Sequence, residues 1–239
     1  MGNETLTRRL TLACGVLFLV TFITSIPALA LFQPVLDDPA GYIAGGGQDT
    51  RILAGALLEM VLVLANVGSA VVLLPLFRRG ADHALSTAFL VARVIESTFI
   101  AAGILFVLGI VTLRHDDPGA ASLATSLAAM KDWTFLLGPG FICPIGNGLI
   151  LGTLAYRSGL VPRRLALLGI AGGTLLLGSG VAVLLGAIPA GGFVQSLATA
   201  PEFAWELSLG IVLTVAGLRG SARARRARRV VGPAAQPAA

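Results

Sequence analysis

Residues 84–113 read ALSTAFLVARVIESTFIAAGILFVLGIVTL, a run whose only charges are Arg93 and Glu96. A helix rises about 1.5 Å per residue and the hydrocarbon of a bilayer is about 30 Å thick, so roughly 20 apolar residues suffice to cross it. This run is longer than that, and it lacks the alternation of apolar and polar residues that marks a strand of a membrane barrel. It predicts a transmembrane helix with an arginine and a glutamate at membrane depth.

Comparable runs lie on both sides of it. Leu10 to Phe32 and Ile52 to Phe77 precede it; Trp133 to Tyr156, Leu165 to Ala187 and Phe203 to Leu218 follow. The last is short, and its start is expected a few residues earlier. The predicted fold is therefore all-α, a six-helix membrane domain over residues 1–218 with a tail over 219–239. Composition agrees: 56% of the 239 residues are hydrophobic and 12% charged, about half the charge of an ordinary soluble domain. The 30 glycines show no collagen-like period and suit closely packed membrane helices. Arg8 and Arg9 before an apolar run resemble a secretory signal, but Leu10 to Phe32 is longer than a signal's apolar core. It is read as an uncleaved first helix.

The basic residues orient this arrangement. Arg8, Arg9, Arg78, Arg79, Arg157, Arg163, Arg164 and the six arginines from Arg219 to Arg229 fall on one side of six alternating spans. Only Arg51, Arg114 and Lys131 fall on the other, together with Asp37, Asp38, Asp49, Asp116, Asp117, Asp132 and Glu202. Cytoplasmic loops of membrane proteins are rich in arginine and lysine. The expectation is an inner-membrane protein with both termini cytoplasmic. The tail from Arg219 onward ends in a Gly, Pro and Ala-rich stretch and is expected to be disordered. Besides orienting the chain, it offers charge to anionic lipid headgroups. No recognition motif for nucleic acid accompanies it.

The outer loops echo one another. Asp37-Asp38-Pro39-Ala40-Gly41 is matched by Asp116-Asp117-Pro118-Gly119-Ala120, and Ser126-Leu127-Ala128 before Asp132 is matched by Ser196-Leu197-Ala198 before Glu202. Three related helical hairpins are one reading; the restricted alphabet of membrane sequences is the other. Asp49, Asp132 and Glu202 each stand where an even-numbered span is expected to begin, as capping carboxylates would. The segment from Ala120 to Met130 reads as a short helix lying at the outer surface.

An ionisable group at membrane depth costs several kcal/mol unless paired or wetted, which makes such residues the first functional candidates. Glu59 and Asn66 share one face of the second span, Arg93 and Glu96 one face of the third. Counted from the helix ends, Asn66, Arg93, Glu96 and Asn147 fall at nearly one depth, with Glu59 closer to the outside. Two readings stand. Either Arg93 and Glu96 form a buried pair that fixes helix packing, or they line a cavity in which Arg93 meets an anionic group and Glu96 or Glu59 exchanges a proton. Pro139 and Pro144 on the fourth span remove backbone donors and predict a kink beside Asn147. Gly148 with Gly152, and Gly169 with Gly173, have the spacing of close helix contacts. Glu206 is expected at the membrane interface.

Several chemistries have no residues to carry them. Cys14 and Cys143 fall in different spans, and His83 and His115 at opposite ends of the third, so neither a disulfide nor a metal site is expected. There is no HExxH, no G-x-S-x-G and no P-loop, and no cofactor motif. No enzyme activity is expected.

Two segments carry a family resemblance. Leu151-Gly152-Thr153-Leu154-Ala155-Tyr156-Arg157-Ser158-Gly159-Leu160-Val161-Pro162-Arg163-Arg164-Leu165-Ala166, and Arg93-Val94-Ile95-Glu96, resemble a bacterial membrane family known as domain of unknown function 4386. The resemblance implies the six-span architecture over nearly the whole chain to Arg219 and directs attention to Arg93 and Glu96; it implies no substrate. Two functional readings remain at this point: a protein that binds or moves a small solute or lipid-like molecule through a polar pocket among spans two to four, and a structural or regulatory subunit whose buried charges only set packing.

Overall fold

The computed structural model describes residues 2–77, 80–117 and 119–230. Helix α1 covers Gly2–Asp37, α2 is the short Pro39–Ile43, α3 runs Asp49–Leu73 and α4 Gly80–Asp116. Helix α5 (Ala121–Leu137) continues through a π-helical stretch, Gly138–Ile142 and Pro144–Leu151, into α6 (Gly152–Ser158); α7 (Arg163–Leu184) and α8 (Phe193–Val230) complete the chain. Among the described residues there is no strand, and six helical segments are long and apolar enough to cross a membrane. The chain is thus a multi-pass membrane protein, as composition and run length imply.

The spans alternate in direction. One end of the bundle carries Asp37, Asp49 and Asp116, and is called here the aspartate end; the other carries the turn from Arg157 to Arg163 and is called the arginine end. Around the bundle, α1 packs on α3, α3 on α4, α4 on α5 and the π-helical stretch, that stretch on α7, α7 on α8, and α8 back on α1. The result is a ring. Two clusters fill it, one near the arginine end around Phe18, Phe89, Leu154 and Trp205, the other near the aspartate end around Phe32, Ile52 and Val107.

Three expectations need correction. The segment from Ala120 to Met130 is not a separate surface helix: α5 begins at Ala121 and runs unbroken into span four, with Ala124 and Ala128 buried. Consequently Asp132 lies well inside a helix and caps nothing. Glu202 is likewise inside α8, which begins at Phe193, whereas Asp49 does stand in the first turn of α3, as expected, beside the cap residue Gln48. Extending span six backward moves Glu202 from the interface into the bundle, while Asp132 stays exposed at the side of span four.

At the aspartate end Asp49 also gathers three partners from two other segments, α2 and α4. It accepts hydrogen bonds from Arg114 at 2.9 Å and from the Tyr42 hydroxyl, and its other oxygen lies 2.8 Å from His115 Nε2. Burial, and then the bond to Asp49, push the Tyr42 phenol above its ordinary value. Asp38 accepts from the Gly41 amide and Asp117 from the Gly119 amide. Both echoed acids thus order the start of the segment after an odd-numbered span.

At the arginine end the Tyr156-to-Arg164 motif forms the turn between α6 and α7. Gly159 adopts a left-handed conformation, φ +68°, which only glycine holds without strain, and Arg163 stacks 5.5 Å from the centre of the Tyr156 ring. The backbone of α8 stays helical past the apolar span to Val230. Arg78, Arg79 and the remainder of the expected disordered tail, 231–239, lie outside the described residues.

Candidate functional site

Span four decides the shape of the interior. Pro139 and Pro144 have no amide hydrogen to donate, and over Gly138–Ile142 and Pro144–Leu151 the backbone widens into a π-helix rather than simply kinking. The Cys143 amide accordingly donates to the Gly138 carbonyl, five residues back. Within the widened turns, Gly148 meets Gly173 of α7 backbone to backbone, so closely that a Cβ on either would overlap the other segment. This is the small-residue contact expected from the glycine spacing. Trp205, fully buried on α8, donates its indole N–H to the Asn147 carbonyl at 3.0 Å.

While the π-helical half of span four is held against α7, its α5 half leans on α4 and barely touches α1, and it has no packed contact with α8. A cavity of about 480 Å³ occupies that gap. It runs from Gln33, Asp37 and Asp132 at the aspartate end to Arg93 and Cys143 in the middle of the bundle. Ile26, Leu29, Phe135 and Phe203 line it yet are exposed, so it also faces sideways, between α1 and α5.

Its polar groups form three sets. Nearest the aspartate end, Lys131 of α5 donates to both carboxylate oxygens of Glu59 of α3 at 2.7 Å. Both side chains are buried, and the ammonium also lies 5.1 Å from the centre of the Phe32 ring. Sequence placed Lys131 in an outer loop; it is a buried ion-pair partner, because its helix starts ten residues earlier. Gly103 of α4 leaves room for its stem.

Deeper, Arg93 Nη1 donates to Glu96 Oε2 at 2.9 Å, and Asn66 Nδ2 reaches the other Glu96 oxygen at 3.4 Å. This is the expected cluster of Asn66, Arg93 and Glu96. The guanidinium is 2% exposed and lies 5.3 Å and 5.6 Å from the centres of Phe18 and Phe89, and its Nε and Nη2 have no hydrogen-bond partner. An arginine between two aromatic faces gains cation–π attraction, but two of its donor groups are left over.

The third set was missed. Glu206 is not interfacial: it points inward and accepts from Asn147 Nδ2 and from the Cys143 thiol. One turn earlier on α8, Glu202 is 2% exposed and neither of its oxygens has a hydrogen-bond partner. Its Oε2 nestles against the backbone of Gly148 and Gly172, where a Cβ would come within 2.9 Å of it. Ligand atoms of Cys143, Glu202 and Glu206 lie within 4.8 Å of one another. Asn147 itself stands behind the cavity wall and orders Glu206, whereas Glu59, Asn66, Arg93 and Glu96 all line the cavity. Reading Glu202 and Glu206 as cap and interface hid them; the echo between their segment and that of Lys131 and Asp132 was the available signal.

Comparison with known proteins gives one match. The family described as "Domain of unknown function (DUF4386)" matches residues 13–217. No curated protein and no solved structure matches this chain.

Proposed function

The chain belongs to the DUF4386 family, whose description assigns no activity, and from its site we propose that it binds, and moves, a small solute or lipid-like molecule in the cavity between α1, α3, α4, span four and α8. What supports this reading is a cavity of about 480 Å³ at membrane depth whose polar lining is only partly self-satisfied. A purely structural cluster would be dry and fully paired, since each unpaired buried polar group costs free energy. Here the Arg93–Glu96 and Lys131–Glu59 pairs account for two cations and two anions, while Arg93 retains free donors and Glu202 has no partner. The cavity's volume falls within the range of small-molecule sites, and its mix of apolar wall and few polar groups is typical of them.

Segregation of arginines supports an orientation with the arginine end, and both termini, on the cytoplasmic side of the inner membrane. The cavity then opens outward, and the basic C-terminal segment meets anionic headgroups.

The test is a thermal-shift screen of the purified full-length chain in detergent against a broad solute panel, on wild type, Arg93→Ala and the double variant Arg93→Ala, Glu96→Ala. Solute-dependent stabilisation of the wild type, altered in both variants, is expected. If the variants change stability alone and no solute shifts the wild type, the structural-subunit reading takes its place.

A further inference from the structure

We infer that the ligand of this cavity is a lipophilic organic cation, whose positive centre rests against Glu202 while its apolar body lies along the phenylalanine-lined opening. The inference rests on the cavity being a ligand site and adds the ligand's class. Among the described residues six carboxyl groups line the cavity, Asp37 and Asp132 at its mouth, Glu59 and Glu96 along it, Glu202 and Glu206 at its floor, and two bases, Lys131 and Arg93. Each base is engaged by one carboxylate. Four of the six carboxyl groups are left without a basic partner, from mouth to floor, and a passage lined by acids favours ions of positive charge.

Glu202 singles itself out within this set. Asn147 and Cys143 both spend their donors on Glu206, and nothing donates to Glu202, although it is 98% buried by its 2% exposure and lines the cavity. A buried carboxylate in that position calls for a cation. The surroundings favour one that is organic and singly charged. Phe22, Phe135 and Phe203 line the same space, and aromatic faces attract an ammonium or phosphonium centre without needing hydrogen bonds from it. The sideways opening, rimmed by exposed Ile26, Leu29 and Phe203, admits a molecule that already partitions into the bilayer. A transition-metal ion at Cys143, Glu202 and Glu206 would require the thiolate, whereas the Cys143 S–H is donated to Glu206. Arg93, for which sequence left open a buried pair or an anion receptor, is held by Glu96 and two rings.

The experiment uses the full-length protein in nanodiscs and three probes of similar shape: tetraphenylphosphonium, tetraphenylborate and neutral triphenylphosphine oxide. Equilibrium binding is measured against empty nanodiscs. Saturable binding of the phosphonium is expected, weakening as the buffer is made more acidic because protons compete for Glu202. Glu202→Gln is expected to weaken it about tenfold or more through loss of the charge pair. Thermal melting of that variant, which removes an unpartnered buried group and keeps the shape, is expected at or above that of wild type, so a folding defect is told apart from a binding one. The inference is overturned if the phosphonium does not bind saturably, if Glu202→Gln binds it as wild type does, or if Zn²⁺ alone binds in a Cys143-dependent way and displaces it. Saturable binding of the neutral or anionic probe without the cation defeats the inference and leaves the solute-binding reading standing.

Discussion

Replacing Lys131 by Met keeps the length of the side chain and leaves the Glu59 carboxylate without its partner. Both groups are nearly enclosed, with side-chain exposures of 6% and 10%, and the ammonium touches both carboxylate oxygens at 2.7 Å. Stranding one member of such a pair costs about 3–5 kcal/mol. A proton limits that cost. Protonating a carboxyl of ordinary acidity at pH 7 takes about 4 kcal/mol, and about 1.4 kcal/mol less for each unit the pH falls. The Lys131→Met defect is therefore expected to be about 4 kcal/mol at pH 7 and to shrink to about 1 kcal/mol at pH 5. Glu59→Gln strands the ammonium instead. Acid does not relieve that charge, so its defect of about 3–5 kcal/mol is expected to persist as pH falls. The double variant, with no ion left, is expected to lose less than either single one. Reversible unfolding by SDS titration in mixed micelles at several pH values measures all four proteins. Additive defects, or the same pH trend for both single variants, would refute the assignment of these side chains as a mutually dependent buried pair.

Two further outcomes follow from the fold. Gly148→Ala drives a Cβ into the backbone of Gly173, and overpacking of this kind is expected to lower stability by about 1–3 kcal/mol; unchanged melting would mean that span four and α7 are not in backbone contact. The proposed orientation predicts that, in a variant lacking the two native cysteines, a cysteine at Asp116 reacts with an impermeant maleimide in intact cells, while one at Ala238 reacts only after permeabilisation. Labelling of both in intact cells refutes it, and labelling of the Ala238 position alone reverses the orientation.

The six spans were legible because run length and hydropathy report directly on the solvent a helix must match. The cluster of Asn66, Arg93 and Glu96 was legible because helical spacing and depth along neighbouring spans are arithmetic. The same arithmetic failed for Lys131, Glu202 and Glu206 because it was anchored on the wrong helix starts. Ala and Ser, abundant in 120–130, are apolar or small enough to lie in a helix above the bilayer or within the bundle, and hydropathy alone does not distinguish these. Pairings across helices, such as Lys131 with Glu59 or Asn147 with Glu206, depend on which faces meet. That is fixed by contacts such as Gly148 on Gly173 and Trp205 on the Asn147 carbonyl, which spacing suggests only as a class. The π-helical stretch was legible only as a disturbance at two prolines.

Helices α3 and α5 do not pack on each other; α4 stands between them, and α5 is bare of neighbours on the side toward α8. The bond from Lys131 to Glu59 reaches across that interval as a strut. The two helices are joined there by an ionic contact rather than by interlocking side chains, so a substitution that unpairs it acts on the cavity wall itself and not on a packed core.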